Sequence, residues 1–212
     1  MIQSRHLYFI FIPAFLVGAL GLFIAYLQYE PLYPDVTKSP TTNTTLQIPI
    51  LPTDPVLGNK KAPTTLIVFA DFGCEACKEE DALLEQLIKK HEKQVKIIWK
   101  GLPVTKFPFN TRLAHEYSVC ANEQGKFLPF KQVAYANKDN LSQQVLQTIA
   151  TTLELNEKKL ATCLTDSAPT HVNNTEQIAL SLNVQSVPAV FLDNRQITPP
   201  QTVEAWEALL GL

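Results

Sequence analysis

The chain has 212 residues, 46% hydrophobic and 18% charged, with a net charge of −2. That length suffices for one domain with a sizeable core plus appendages. Nucleic acid is excluded as a partner class, because the 18 Lys and Arg residues are scattered and form no basic stripe.

Residues 7–27, LYFIFIPAFLVGALGLFIAYL, run for 21 residues without a charge. That is long enough to cross a hydrocarbon core of ~30 Å as a helix, and so to bind the lipid bilayer. Tyr8 and Tyr26 lie near its ends, where amphipathic rings favour the interface. Arg5, His6 and the terminal amine precede it, so residues 1–6 stay cytoplasmic and the rest is exported. A cleaved signal peptide competes with this reading, with Ala19-Leu20-Gly21 as a small-x-small site. The apolar run continues six residues past that site, which favours a single-pass signal-anchor over a cleaved soluble form. Export holds either way, into a compartment where disulfides persist.

Six prolines (Pro31, Pro34, Pro40, Pro49, Pro52 and Pro55) and the run SPTTNTT follow. Such a composition buries too little apolar surface to fold, and residues 28–53 read as an extended Pro/Thr-rich linker. The folded domain spans 54–212. TTLIVFAD (64–71) has the β-branched and aromatic character of a buried strand. Residues 74–93 continue as a helix, with Leu83, Leu84, Leu87, Ile88 and His91 on one stripe. QVKIIWKGLPV (94–104) reads as a second strand, completing a βαβ unit. Phe107-Pro108-Phe109 reads as loop packing, with any exposed ring available to unfolded substrates.

Five helical segments follow, at 111–124, 126–137, 141–153, 156–164 and 170–182, with Asn140, Asn156 and Asp166-Ser167 as caps or breaks. VPAVFLDNRQITP (187–199) returns to strand character around an Asp193-Asn194 turn. Residues 200–212 close as a helix, with Pro200 in its first turn. This order predicts an α/β domain with a helical insertion at about 105–183.

Cys74-Glu75-Ala76-Cys77 carries the chemistry. Only a thiolate attacks a disulfide, and an ordinary thiol near pKa ~8.5 is mostly protonated at neutral pH. At the start of a helix, the Cys74 sulfur meets unpaired backbone N–H groups and the positive dipole end, and both favour the anion. Cys77, one turn later, is placed to resolve a mixed disulfide. A zinc site would need Cys74 and Cys77 together with Cys120 and Cys163, or with His91, His115 or His171. These single residues lack the paired spacing of metal ligands, so no metal is expected. A purely structural Cys74–Cys77 clip closes too small a loop to stabilise much.

The segment LIVFADFGCEACKEED resembles the active-site region of the DsbA-like thioredoxin-fold oxidoreductases. VLGNKKAPTTLIVF, CANEQGKFLPFKQVAYANKDNL and LNVQSVPAVFLDN are similar to further family segments in the same order, so the resemblance covers about residues 54–212. It implies a thioredoxin-like fold with an inserted helical domain, and a protein disulfide oxidoreductase that needs no cofactor beyond its own Cys74–Cys77 disulfide. Cys74 would be the nucleophile and Cys77 the resolving partner. Val187 and Pro188 would be the cis-proline pair that receives an extended substrate. Four cysteines permit three connectivities; the resemblance implies Cys120–Cys163 as a structural disulfide within the helical block.

Three positions depart from the family pattern. Glu75, with Ala76 beyond it, follows Cys74 where a proline is frequent, and its carboxylate should raise the Cys74 pKa and weaken the dithiol as an oxidant. Val68 occupies a position where many relatives keep a buried acid to handle the second thiol's proton; Asp71 or water would have to substitute. Ser186 replaces a frequent glycine. Expected partners are cysteine-containing, unfolded exported proteins and a quinone-linked membrane oxidase of the DsbB type, at the inner membrane of a bacterium. The reverse flow, a reductase or isomerase served by a DsbD-like membrane donor, stays open, as does a non-enzymatic anchored binding domain.

Overall fold

The computed structural model describes residues 17–24, 26 and 47–212. Residues 17–24 and 26 are helical and exposed. The rest of the expected 7–27 span, the 1–6 terminus and residues 28–46 of the expected linker lie outside the described residues. Among the described residues no helix is long and apolar enough to cross a membrane. The contacts divide the chain into two units, Met1–Thr44 and Thr45–Leu212.

The second unit begins earlier than residue 54. Ile48 is buried, and its N–H donates to Asn194 Oδ1 at 2.9 Å. Residues 47–53, expected as linker, thus pack on the domain through an apolar side chain that composition alone concealed.

The elements in chain order are β1 (Val56–Gly58), β2 (Thr64–Ala70), α1 (Glu75–Lys90), β3 (Val95–Gly101), α2 (Arg112–Glu123), α3 (Phe127–Ala136), α4 (Gln143–Thr152), α5 (Glu157–Thr165), α6 (Ser167–Ser181), β4 (Ala189–Leu192), β5 (Arg195–Ile197) and α7 (Val203–Leu210). The strands form one sheet in the order β1-β3-β2-β4-β5. β2 and β3 run parallel, with Thr64 opposite Val95, and every other pair is antiparallel. Leu66, Val68 and Ala70 of β2 enter one core, while Ile67 and Phe69 enter a second on the opposite face. Both faces are therefore covered, which is why TTLIVFA reads as continuous apolar sequence.

The main differences from expectation lie at element ends. β1 was not anticipated; three residues at a sheet edge carry little periodic signal. Thr202, not Pro200, starts the last helix, its side chain accepting from Ala205 N. Ser142 rather than Asn140 caps α4. Asn156 does cap α5, and Asp193 and Asn194 adopt the positive φ of a tight hairpin turn.

Candidate active site

β2 delivers the chain to the start of α1 through the turn Asp71-Phe72-Gly73. Cys74 is the N-cap residue, extended at φ −96° and ψ 120°, and its Sγ accepts from Cys77 N at 3.1 Å. Both cysteines are free thiols, Cys74 half-buried and Cys77 buried. The hydrogen bond from the Cys77 thiol is the largest influence on Cys74, pulling its pKa down to about 7. Burial and the Asp71 charge oppose it, and the Cys77 backbone N–H assists. Cys77 moves the other way: its bond to the Cys74 sulfur, and then burial, push it far above the thiol range. The pair is polarised into one readily ionised sulfur and one sulfur that holds its proton.

Asp71 does not stand in for the missing acid at Val68. Its Oδ1 accepts from Gly73 N at 3.2 Å and His115 Nε2 at 3.0 Å; its Oδ2 accepts from Val104 N at 2.9 Å and Thr105 N at 2.6 Å. Burial would raise its pKa, but His115, and after it Thr105 and Thr111, hold the carboxyl well below the usual carboxylate range. Such a group stays ionised and serves as a clasp, tying the dithiol turn to Val104 and Thr105. Gly73 permits this closeness, since a Cβ there would stand 2.8 Å from the Thr105 side chain. Gly101 likewise leaves room for the His115 ring.

Phe72 anchors the turn from below. Its ring lies 4.7 Å from His115, 5.1 Å from Trp99, 5.3 Å from Tyr135 and 5.9 Å from Phe130, centroid to centroid. Each such pair adds about 0.5–1.5 kcal/mol beyond area burial, so the turn is fixed jointly by the sheet and the inserted helices.

Val187 and Pro188 face the dithiol. β4 runs antiparallel to β2, with Ala189 opposite Phe69, which brings the residues before β4 beside those after β2. The Val187–Pro188 bond is cis, and Cys74 Sγ lies 3.7 Å from the Val187 carbonyl oxygen. The loop after β3 flanks the same turn and carries a second cis bond, Phe107–Pro108. Phe107 is 87% exposed there.

Glu75 does not act on Cys74 as expected. Its carboxylate pairs with Lys138 Nζ at 2.8 Å, and the charge that raises the Cys74 pKa is that of Asp71. Ala76 is exposed beside it. Cys120 of α2 is bonded to Cys163 of α5, with Cα atoms 5.7 Å apart. His91 reaches Glu207 and Gln94, His171 reaches Thr53 and Asp54, and His115 reaches Asp71. Among the described residues no group of three or more His, Cys, Asp and Glu side chains gathers to hold a metal.

Sequence reasoning missed the face that α3 turns toward α1. Lys131 is buried and bridges Asp81 at 2.5 Å and Glu85 at 2.9 Å. One turn on, Tyr135 is 4% exposed and its hydroxyl has no hydrogen-bond partner among the described residues. The only signal was the spacing of Lys131, Tyr135 and Lys138 against Cys77, Asp81 and Glu85, legible only once the two helices are known to face each other.

A family model described as Thioredoxin matches residues 51–211. Among solved structures, the catalytic domain of ScsC from Proteus mirabilis is 21% identical with a TM-score of 0.65, covering 79% of this chain and 91% of that one. The thiol-disulfide exchange protein α-DsbA2 from Wolbachia pipientis is 18% identical with a TM-score of 0.66, covering 75% and 86%. Oxidised BdbD from Bacillus subtilis is 17% identical with a TM-score of 0.61, covering 75% and 91%. At these identities the likeness is one of fold. Among curated proteins, the Na(+)/H(+) antiporter NhaA 3 from Salinispora tropica is 28% identical over 166 residues, covering 77% of this chain. The chain spans a quarter of the length of that relative.

Proposed function

The chain belongs to the thioredoxin family, and on that premise we propose that it is an exported, membrane-tethered thiol:disulfide oxidoreductase. The observation that carries the reading is the Cys74 sulfur: capped by Cys77 N at 3.1 Å, drawn down to about 7, and set 3.7 Å from the Val187 carbonyl ahead of cis-Pro188. An extended cysteine-bearing segment pairing with the Val187 backbone would bring its sulfur to Cys74.

In the disulfide-forming direction, a substrate thiolate attacks Cys74 of the oxidised pair and Cys77 leaves. A second substrate thiolate then attacks the substrate sulfur and releases reduced Cys74. Cysteine-containing exported proteins are the substrates, and a DsbB-like quinone-linked oxidase restores the Cys74–Cys77 disulfide. Residues 7–27 hold the domain on the outer side of a bacterial inner membrane, near that partner. Ion transport forms no part of the reading.

The position of Cys74 near 7 favours a second reading, a reductase or isomerase kept reduced by a DsbD-like donor. A nucleophile of that acidity is typical of thioredoxin, whereas a strong oxidant holds its thiolate near 3.5. The test of the shared chemistry is a Cys77→Ser variant of the full-length chain, which should accumulate mixed disulfides at Cys74 with exported proteins and a membrane partner. Recovering none, while the variant folds, overturns thiol exchange.

A further inference from the structure

Cys77 is buried, yet in either direction of exchange a proton must reach or leave its sulfur. α1 places Cys77, Asp81 and Glu85 four residues apart on one face. α3 places Lys131 and Tyr135 four apart on the face that meets it. The contacts run in opposite order along the two helices: Glu75 with Lys138, and Asp81 and Glu85 with Lys131. Tyr135 falls between these pairs, at the level between Cys77 and Asp81. Its buried hydroxyl has no hydrogen-bond partner among the described residues, and an unmet buried polar group is uncommon and costly in a folded protein. Its ring packs against Phe72 at 5.3 Å, in the same buried cluster as Cys77, and burial raises its pKa, as do, in order, the charges of Asp81, Cys77, Cys74 and Asp71.

We propose that Tyr135 and Asp81 form the proton relay of the resolving thiol, with Tyr135 passing the proton between Cys77 Sγ and the Asp81 carboxylate through bridging water. The proposal rests on the thiol–disulfide reading. Asp81 suits the outer end: its side chain is 14% exposed, open enough to exchange with solvent. Burial raises its pKa against the pull of Lys131, so it takes up a proton more readily than an exposed carboxylate. The two other acids near the dithiol are committed elsewhere. Asp71 has both oxygens occupied and stays ionised. Glu80, pushed up to about 7 by burial, accepts from Trp206 Nε1 at 3.1 Å and so turns toward α7.

In the reducing direction the Cys74 sulfur is already bonded to one substrate sulfur. Through bridging water, Cys77 gives its proton to the Tyr135 oxygen as the Tyr135 proton passes to Asp81. The Cys77 thiolate attacks Cys74 Sγ, the Cys74–Cys77 bond forms, and the substrate sulfur leaves with the electron pair. The dithiol loses two electrons and the substrate gains them. In the oxidising direction every step reverses, and protonated Asp81 returns a proton through Tyr135 to the departing Cys77 sulfur.

The full-length reduced chain, mixed with oxidised glutathione, quenched in acid and weighed intact, gives both the formation and the lifetime of the Cys74–glutathione adduct. Tyr135→Phe deletes only an unpartnered hydroxyl, so a structural role leaves stability and lifetime unchanged. The relay predicts an adduct that lives about tenfold longer or more at pH 6.5, with adduct formation within twofold of the parent. The difference narrows as rising hydroxide takes over, against a background set by Cys74, Asp71, Glu80, Glu85 and Lys131. Asp81→Asn should lengthen the lifetime similarly. A Tyr135→Phe lifetime within twofold of the parent from pH 6 to 8, or a lengthening confined to Glu80→Gln, overturns the relay. Failure to form the adduct at all would instead sink the thiol–disulfide reading.

Discussion

Replacing Asp71 by asparagine separates two effects that one carboxylate combines. Its oxygens accept from Gly73 N, His115 Nε2, Val104 N and Thr105 N, and all of it is buried. An asparagine keeps one oxygen, which the short Val104 and Thr105 bonds will claim, and turns an NH2 toward Gly73 N and His115 Nε2. His115 can move its proton to Nδ1 and accept from that amide, but Nδ1 is itself buried without a partner. One or two donors are left unmet at about 1–3 kcal/mol each, so the variant should lose about 2–4 kcal/mol. Asp71→Ala, which strands all four donors, should lose more. The loss has a pH window. The folded pKa of Asp71 is depressed, so its contribution is present above the unfolded value near ~3.9 and fades as pH falls below it. The deficit of the variant is therefore full at pH 7 and shrinks in acid. Reactivity should move in the opposite sense: without the Asp71 charge, the midpoint for Cys74 alkylation should fall from about 7 by about half a unit to one unit. Urea unfolding and alkylation rate against pH, both on the full-length chain, read the two effects. A variant as stable as its parent, or one whose Cys74 midpoint rises, would refute the clasp.

Three further outcomes are open to measurement. Lys138→Ala unpairs Glu75 beside Cys74; because Glu75 is largely exposed, thermal stability should change by less than ~1 kcal/mol while the Cys74 alkylation midpoint rises by a fraction of a unit, and adding Glu75→Gln should reverse the rise. Cys120→Ala with Cys163→Ala opens a loop of sequence separation 43, which in the chain-entropy model costs about 4 kcal/mol in urea titration. Equilibration of the dithiol against glutathione separates the two directions: a potential nearer ~−120 mV supports disulfide formation, and one nearer ~−270 mV overturns it in favour of the reductase or isomerase.

The architecture was legible because its signals are local. The unbroken apolar run of β2, the leucine spacing of α1 and the turn pair Asp193-Asn194 each follow from a few consecutive residues. The N-cap position of Cys74 was legible for the same reason, since a strand ending in Asp-Phe-Gly leaves little room before the helix starts. What stayed hidden depends on residues distant in sequence. Nothing near Asp71 announces that its carboxylate reaches Val104, Thr105 and His115, and nothing near Glu75 announces Lys138. The packing of residues 47–53 rests on Ile48, whose N–H meets an asparagine 146 positions away, and on Thr53, which meets His171 and Asn122. Each of these is a side-chain contact whose partner is chosen by the fold, and no periodicity encodes it.

That distinction changes how the two residues between the cysteines bear on chemistry. Read alone, Glu75 is a negative charge beside a thiolate and argues for a weaker acid at Cys74. In place, Lys138 neutralises it, and Cys74 answers instead to Cys77 and Asp71. The remaining groups around the turn come largely from the inserted helices and the loop leading into them: Thr105 and Val104 hold Asp71, His115 pairs with it, Phe130 and Tyr135 hold Phe72, and Lys138 holds Glu75. The sheet and α1 alone would set the two sulfurs one turn apart and supply the N–H bond to Cys74. They would not fix the turn's far side or neutralise Glu75. It follows that the acidity of Cys74 is set within the Asp71–Cys77 segment, while the insertion fixes where Asp71 stands and pairs with Glu75. Two chains with identical residues between their cysteines can differ in redox poise wherever the helix facing α1 differs.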